Sequence, residues 1–322
     1  MNRQLRRFST QWNEIFINAE DRGRRLDNFL RATLKYLSKN LFYKLIRKGY
    51  IRVNKREVQP SYRLKTCDIL SIPLLNSLKK EKDKYYPVKT IELISNKILY
   101  DDDYILAINK PSGIAVHGGS GLSYGLIEVL RLWKKNHPFL ELVHRLDRDT
   151  SGILLVAKKK SVLRSLHEQF RLQMIKKKYF TLVYGLWPSH LKTIAVPLQR
   201  YGMRTGQRLV RINPEGKFSK TLFKIEERFS QATLLKVMPI TGRTHQIRAH
   251  TQYVGHPIAL DKLYGNKKFN NQLLEIGLNR LFLHASSIIF IHPHTHQEIC
   301  ITAPLHEELS KCLSFLRSEK SA

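Results

Sequence analysis

The sequence predicts an α+β protein in two parts. A small unit of helices and short strands spans 20–73, and a larger domain with a mixed, mostly antiparallel sheet and a central cleft spans 97–322. Three observations lead there. Leu26, Phe29, Leu30 and Leu34 recur at the spacing of one helical face, and short strand-like runs follow them. From Ile98 onward strand patterns outnumber helical ones and are joined by short turns, which favours antiparallel pairing over a doubly wound sheet. Between the two parts, 74–96 contains LKKEKDKYYP, charged and poor in small apolar residues, as an exposed linker is.

In the small unit, Ser38 or Asn40 caps a second helix that carries Leu41, Leu45 and Ile46 and stops at Gly49. YIRVN and REVQP read as short strands around an Asn54-Lys55 turn, and DILSIP as a closing strand. In the larger domain, YILAINKPSG is a strand followed by a Pro-Ser-Gly turn, and VHRLDRDTSG leads into the buried strand ILLVA. A helix is expected over 161–176, capped by Ser161, with Leu163, Leu166, Phe170 and Met174 as its apolar stripe. KKKYFTLVYG, TLFKIEERF, ATLLKVMPI and LHASSIIFI read as strands. A last helix near 305–317 carries Leu305, Leu309, Leu313 and Leu316.

Charge is the unusual feature of the composition. Fifty-six Lys and Arg oppose 26 Asp and Glu, a formal net charge of +30 in 322 residues. Such an excess repels itself in a compact state, so it points to a polyanionic partner, nucleic acid before an anionic membrane surface. No apolar run approaches the roughly 18 residues of a membrane-spanning helix. The segment MNRQLRRFSTQWNEIF is basic but has no continuous apolar stretch, unlike a secretory signal. Cys67, Cys300 and Cys312 are too scattered for a disulfide framework or a zinc ribbon. They read as buried or half-buried thiols of a cytoplasmic protein.

Several chemistries lack their motifs. There is no Walker A sequence, no GxGxxG after a strand and no HExxH, so no cofactor is expected. His292, His294 and His296 read as a polar hairpin tip, without the ligand spacing of a metal site. Asp101, Asp102 and Asp103 read as a solvated turn. The stretch 144–149 is different, because it sets His144, Arg145, Asp147, Arg148 and Asp149 beside a buried strand, where charge is costly unless paired or used. Flanking Arg145 and Arg148 favour the ionised form of Asp147. An ionised, positioned carboxylate suits nucleophilic or base chemistry.

HRLDRDTSGILLVAKK resembles the central motif of the RluA-type pseudouridine synthases. NKPSGIAVHGG (109–119), KKKYFTLVYG (176–185), TGRTHQIRAHTQYVGHPIALDKLYG (241–265) and LHASSIIFIHP (283–293) resemble further segments of that family in the same order. The small unit, with RRLDNFLR and LIRKGYIRVN, resembles an S4-like RNA-binding domain. The segment 207–229 is similar to family members that act on large-subunit ribosomal RNA.

The resemblance implies an isomerase that converts uridine to pseudouridine in RNA, with no cofactor and no metal. It implies that Asp147 is the catalytic aspartate and that Tyr179 stacks near the target base and acts as, or assists, the general base at C5. Arg248 is implied to pair with Asp147. Arg145, Arg148, Lys110, His117, Arg243, His245 and Gln246 are implied to line or support the RNA cleft. Arg24, Arg25, Arg31, Lys44, Arg47 and Lys48 of the small unit are expected to meet phosphate. Transfer RNA as substrate and a non-catalytic role in ribosome assembly stay open beside this reading. A monomer with no membrane association is expected.

Overall fold

The computed structural model describes residues 12–33, 39–73, 88–118, 124–134, 137–204 and 207–321. The chain divides into two compact units, Met1–Tyr85 and Tyr86–Ala322.

The first unit contains β1 (Trp12–Phe16), α1 (Leu26–Thr33), α2 (Lys39–Arg47), β2 (Arg52–Val53), β3 (Arg56–Glu57) and β4 (Ile69–Pro73). Its sheet runs β1-β4-β2-β3, with every pairing antiparallel. Leu26, Phe29 and Leu30 from α1 and Leu45 and Ile46 from α2 bury against Ile51, Val53, Leu64 and Leu70. Gly49 ends α2 as the spacing predicts. It adopts φ +68°, its N–H donates to the carbonyl of Ile46 (3.0 Å) and that of Tyr50 to Leu45 (2.9 Å), a Schellman closure. Asn54 and Lys55 both take positive φ, the requirement of a tight hairpin turn. Leu34 and Ser38 lie outside the described residues, as do the side chains of Asn40 and Leu41.

The second unit contains α3 (Val88–Ser95), β5 (Ile98–Asp101), β6 (Ile105–Lys110), α4 (Leu126–Trp133), β7 (Glu141–Leu142), β8 (Ser151–Ala157), α5 (Lys160–Arg171) and β9 (Lys176–Tyr184). It continues through β10 (Thr193–Ala195), β11 (Leu198–Arg204), β12 (Gln207–Ile212), β13 (Lys220–Arg228), β14 (Ala232–Pro239), α6 (Gln246–Tyr253), α7 (Lys267–Glu275), β15 (Leu283–Ile291), β16 (Glu298–Thr302) and α8 (Glu307–Ser321). The main sheet follows the order β10-β13-β14-β9-β15-β8-β6-β5, with β16 on β15 and β7 on β8. Its pairings are antiparallel except at the centre, where β15 runs parallel to β8. Strands β11 and β12 form a separate hairpin.

That parallel seam positions the rest. Gly152 faces Ala285 across it with φ +106°, and a Cβ on Gly152 would stand 2.2 Å from the Ala285 carbonyl oxygen. Only glycine allows both the conformation and the close approach. The chain therefore enters β8 with the preceding loop, 143–150, held over the sheet centre.

Several elements differ from the sequence reading. Ile91 and Ile94 of α3 pack into the second unit's core, so the C-terminal end of the segment read as linker is ordered helix. Helix α5 starts one residue before Ser161, with Lys159 as a cap that makes no side-chain bond, and stops at Arg171. Gln173, at φ +59°, turns the chain out of the helix and leaves Met174 half exposed at 51%. Asp102 is more than a solvated residue. Its carboxylate accepts the N–H groups of Tyr104 (2.8 Å) and Ile105 (2.6 Å) and the Tyr100 hydroxyl (2.7 Å), and lies 3.0 Å from His292 Nε2. Cys67 and Cys300 are exposed, in a turn and on an outer strand, and only Cys312 is buried.

The Gly152→Ala variant should lose about 2 kcal/mol or more of stability in a urea titration, since it forces a side chain into a positive-φ site against backbone. Wild-type stability in that variant would show that the seam has room to relax.

Candidate active site

The loop ahead of β8 is tied from below by the NKPSG turn. The Lys110 side chain is fully buried. Its ammonium donates to the carbonyls of Pro111 (2.8 Å), Ile114 (3.0 Å) and Arg148 (3.0 Å). Burial, with the Arg280 guanidinium nearby, pulls its pKa down to about 7, while three carbonyl acceptors match its three protons. The Ser112 hydroxyl donates to the Asp149 carbonyl (2.6 Å) and the Gly113 N–H to that of Arg148 (2.9 Å). The expectation that Lys110 binds RNA is corrected here. It shapes the loop from inside the protein.

Asp147 projects from this loop into a cleft of about 590 Å³, large enough for one nucleotide. The opposite wall is the start of α6. His245 stands at its N-cap with φ +51°. His245 Nε2 is 3.8 Å from Asp147 Oδ2, and Arg248 Nη1 is 3.5 Å from the same oxygen. Arg248 is buried and held in place by Asp261, through Nε to Oδ2 (2.7 Å) and Nη2 to Oδ1 (2.8 Å). Burial works against the charged guanidinium, yet the bonds to Asp261 and the charge of Asp147 raise its pKa on balance. Asp261 is itself anchored, because its Oδ1 accepts the N–H groups of Leu263 (2.9 Å) and Tyr264 (3.1 Å). The Arg248 guanidinium also lies 5.2 Å from the Tyr264 ring centroid, and the Tyr264 hydroxyl is 3.0 Å from His245 Nδ1.

Tyr179 comes from β9, between Val237 of β14 and Ala285 of β15, and lines the same cleft. Burial raises its pKa, and the nearby Asp147 carboxylate raises it further. The phenol is therefore protonated near neutral pH, suited to stacking and to donating a hydrogen bond. Burial lowers the pKa of His245, so its imidazole is the neutral form near neutral pH.

The cleft thus brings together Asp147, Tyr179, Arg248, Arg145, Arg243, His245 and Gln246. Gln246 and the two arginines flanking Asp147 act differently from the sequence reading. Gln246 is buried with all its bonding positions used. Its Oε1 accepts from Thr241 Oγ1 (2.7 Å) and the Arg243 N–H (3.0 Å), and its Nε2 donates to the Lys220 carbonyl (3.0 Å) and Thr221 Oγ1 (2.9 Å). It builds the turn that aims His245 and Arg248 and has no position left for RNA. The expected flanking cations also do not serve Asp147. Arg148 turns to Asp149 (3.1 Å), Arg145 is exposed, and Arg248 is the cation beside the carboxylate. His117 is exposed and does not line the cleft.

In the first unit, Arg31, Lys44, Arg47 and Lys48 are exposed. Arg24 pairs with Asp21 at 3.0 Å. Arg25 grips Asp27 through Nε (3.1 Å) and Nη2 (2.8 Å), and the Tyr43 hydroxyl donates to the same carboxylate (3.1 Å). Its guanidinium braces the fold of that unit.

Asp261 and Tyr264 were missed by sequence reasoning. The available signal was Asp261 directly after the apolar triplet Ile258-Ala259-Leu260. Among the described residues no group of three His, Cys, Asp or Glu is arranged to hold a metal ion, and no helix is long and apolar enough to cross a membrane.

The family model for RNA pseudouridylate synthase matches residues 104–253, and the S4 domain model matches 24–70. The ribosomal large subunit pseudouridine synthase C of Pasteurella multocida is 52% identical over 312 residues, covering 96% of this chain and 95% of that one. The protein of the same name from Escherichia coli K12 is 51% identical over 309 residues, covering 95% and 97%. Among solved structures, human RNA pseudouridylate synthase domain containing 4 superposes with a TM-score of 0.58 at 25% identity, covering 71% of this chain and 96% of that one. This chain belongs to the RNA pseudouridylate synthase family. It is an RNA pseudouridine synthase with an S4 domain.

Replacing Asp261 by Asn removes the charge that balances a buried guanidinium. The variant should lose about 3 kcal/mol in a urea titration and form product more slowly under folding conditions. Unaltered stability would mean that Arg248 does not depend on that carboxylate.

Proposed function

We propose that this protein isomerises specific uridines of large-subunit ribosomal RNA to pseudouridine, with Asp147 as the catalytic carboxylate. The carrying observation is Asp147 set in a nucleotide-sized cleft and faced by an arginine whose position is fixed from behind. The agreement with large-subunit synthases along nearly the whole chain, S4 domain included, supports the ribosomal target.

The chemistry follows from the arrangement. The target base leaves its stack to enter the cleft, at a cost of a few kcal/mol. Basic side chains around the mouth offset that cost through the phosphate backbone. The N1–C1′ bond breaks, the base turns, and a C5–C1′ bond forms, while C5 loses a proton and N1 gains one. No atom is gained or lost overall. Asp147 either attacks C1′ or removes a sugar proton, and both routes need the carboxylate ionised and the Arg248 cation beside it. Tyr179 flanks the base with its ring and presents a protonated hydroxyl to the reacting edge. Residues 20–73 dock structured RNA, residues 97–322 carry the reaction, and the protein acts as a monomer in the cytoplasm.

Pseudouridine mapping of ribosomal RNA from cells lacking this protein tests the proposal. Specific large-subunit uridines should lose the modification, and wild type, but not Asp147→Asn, should restore it. Large-subunit RNA with every site intact would contradict the ribosomal target.

A further inference from the structure

The cleft floor holds a half-buried cation for which neither the aspartate site nor the core has a use. In the run Lys176-Lys177-Lys178 at the start of β9, the two-residue repeat of a strand sends the middle lysine to the face of Tyr179. Lys177 and Tyr179 both line the cleft, and Lys176 and Lys178 do not. Two residues of strand separate them by about 7 Å along the cleft floor.

Two neutral rings stand beside Lys177. Its ammonium lies 5.6 Å from the Phe170 ring centroid, and His144 tilts against that ring at 5.3 Å. His144 Nε2 accepts the Leu155 N–H (3.1 Å), and burial, aided by the Lys177 charge, pushes its pKa down to about 3, so it stays neutral. Among the described residues Lys177 has no carboxylate and no hydrogen-bond partner although it is half-buried, whereas Arg145 is open to water and the other arginines at the rim are tied. Arg200 Nη2 donates to Thr244 Oγ1 (2.8 Å), Arg243 Nε to the Phe218 carbonyl (3.0 Å), and Arg171 pairs with Glu168. Burial pulls the Lys177 pKa down to about 8. A half-buried ammonium without an anion is unfavourable in the free protein, and an arriving anion removes the penalty.

We propose that Lys177 receives a backbone phosphate of the RNA strand next to the target nucleotide and so sets how deeply the flipped uridine enters towards Asp147. This rests on the pseudouridine synthase reading. A compact ammonium on a flexible stem suits a single phosphate as a point charge. Lys177 is a positioning residue, because it reaches the strand and not the reacting atoms.

The test uses full-length protein and an unmodified transcript of large-subunit ribosomal RNA, with wild type, Lys177→Met and Lys177→Arg. Binding is measured by filter retention across a potassium chloride series, and product formation by single-turnover assay. For Lys177→Met the dissociation constant should rise about tenfold. The slope of log affinity against log salt should flatten by about 0.7 to 0.9, the signature of one lost phosphate contact. Lys177→Arg should recover the slope. Where Lys177→Met does not stay folded, Lys177→Gln takes its place. A wild-type salt slope in the neutral variant would overturn the proposal. So would a rate defect at saturating RNA that Lys177→Arg shares with Lys177→Met, since arginine keeps the charge but cannot give up a proton, which would indicate proton transfer. A wild type that makes no pseudouridine on any RNA would sink the functional reading instead, while an active wild type with an unchanged slope in Lys177→Met would sink only this assignment.

Discussion

The forked contact between Arg248 and Asp261 is the interaction on which the site depends. Asp261 takes two of the three guanidinium nitrogens at 2.7 and 2.8 Å and leaves Nη1 to face Asp147. A lysine has no such fork and would not hold this orientation. Two loops converge on the contact. The Asp147 loop is tied down by Lys110 and Ser112 and admitted over the sheet by Gly152. The α6 entry is braced by Gln246 and by the strained backbone of His245. Lys110 on one side and Gln246 on the other are buried with every bonding position used, the condition under which such groups rigidify a site.

Positive charge has two distinct uses in this chain. Arg25, Lys110 and Arg248 are paired or fully bonded and serve the architecture. Arg31, Lys44, Arg47, Lys48 and Arg145 are exposed, as the phosphate contacts proposed for them require. Lys177 belongs to neither group, which is why it stands out in the cleft.

Much of this was legible in the sequence. LHASSIIFI is the central strand residue for residue, the Asn54-Lys55 turn and the Gly49 stop are where their conformational preferences put them, and Asp147 and Tyr179 do share one cleft. What escaped depends on contacts between distant segments. Asp261 is only one of 26 acidic residues until the fold brings it under Arg248. Lys110 looked like a surface cation beside a proline turn, because nothing local shows three carbonyls closing on its ammonium. Helix α5 ends earlier than its pattern implies, because Met174 continues the stripe four residues after Phe170 while the left-handed Gln173 interrupts the helix. Arg148 flanks Asp147 in the sequence but turns to Asp149, the aspartate after it.

The most direct test of the account is single-turnover pseudouridine formation by Arg248→Lys, with RNA affinity measured in parallel. Lysine keeps the charge and removes the fork, so the account predicts a rate at least about 100-fold below wild type with RNA binding retained. A near-wild-type rate would show that charge alone serves Asp147 and that the Arg248–Asp261 geometry is not the basis of the site.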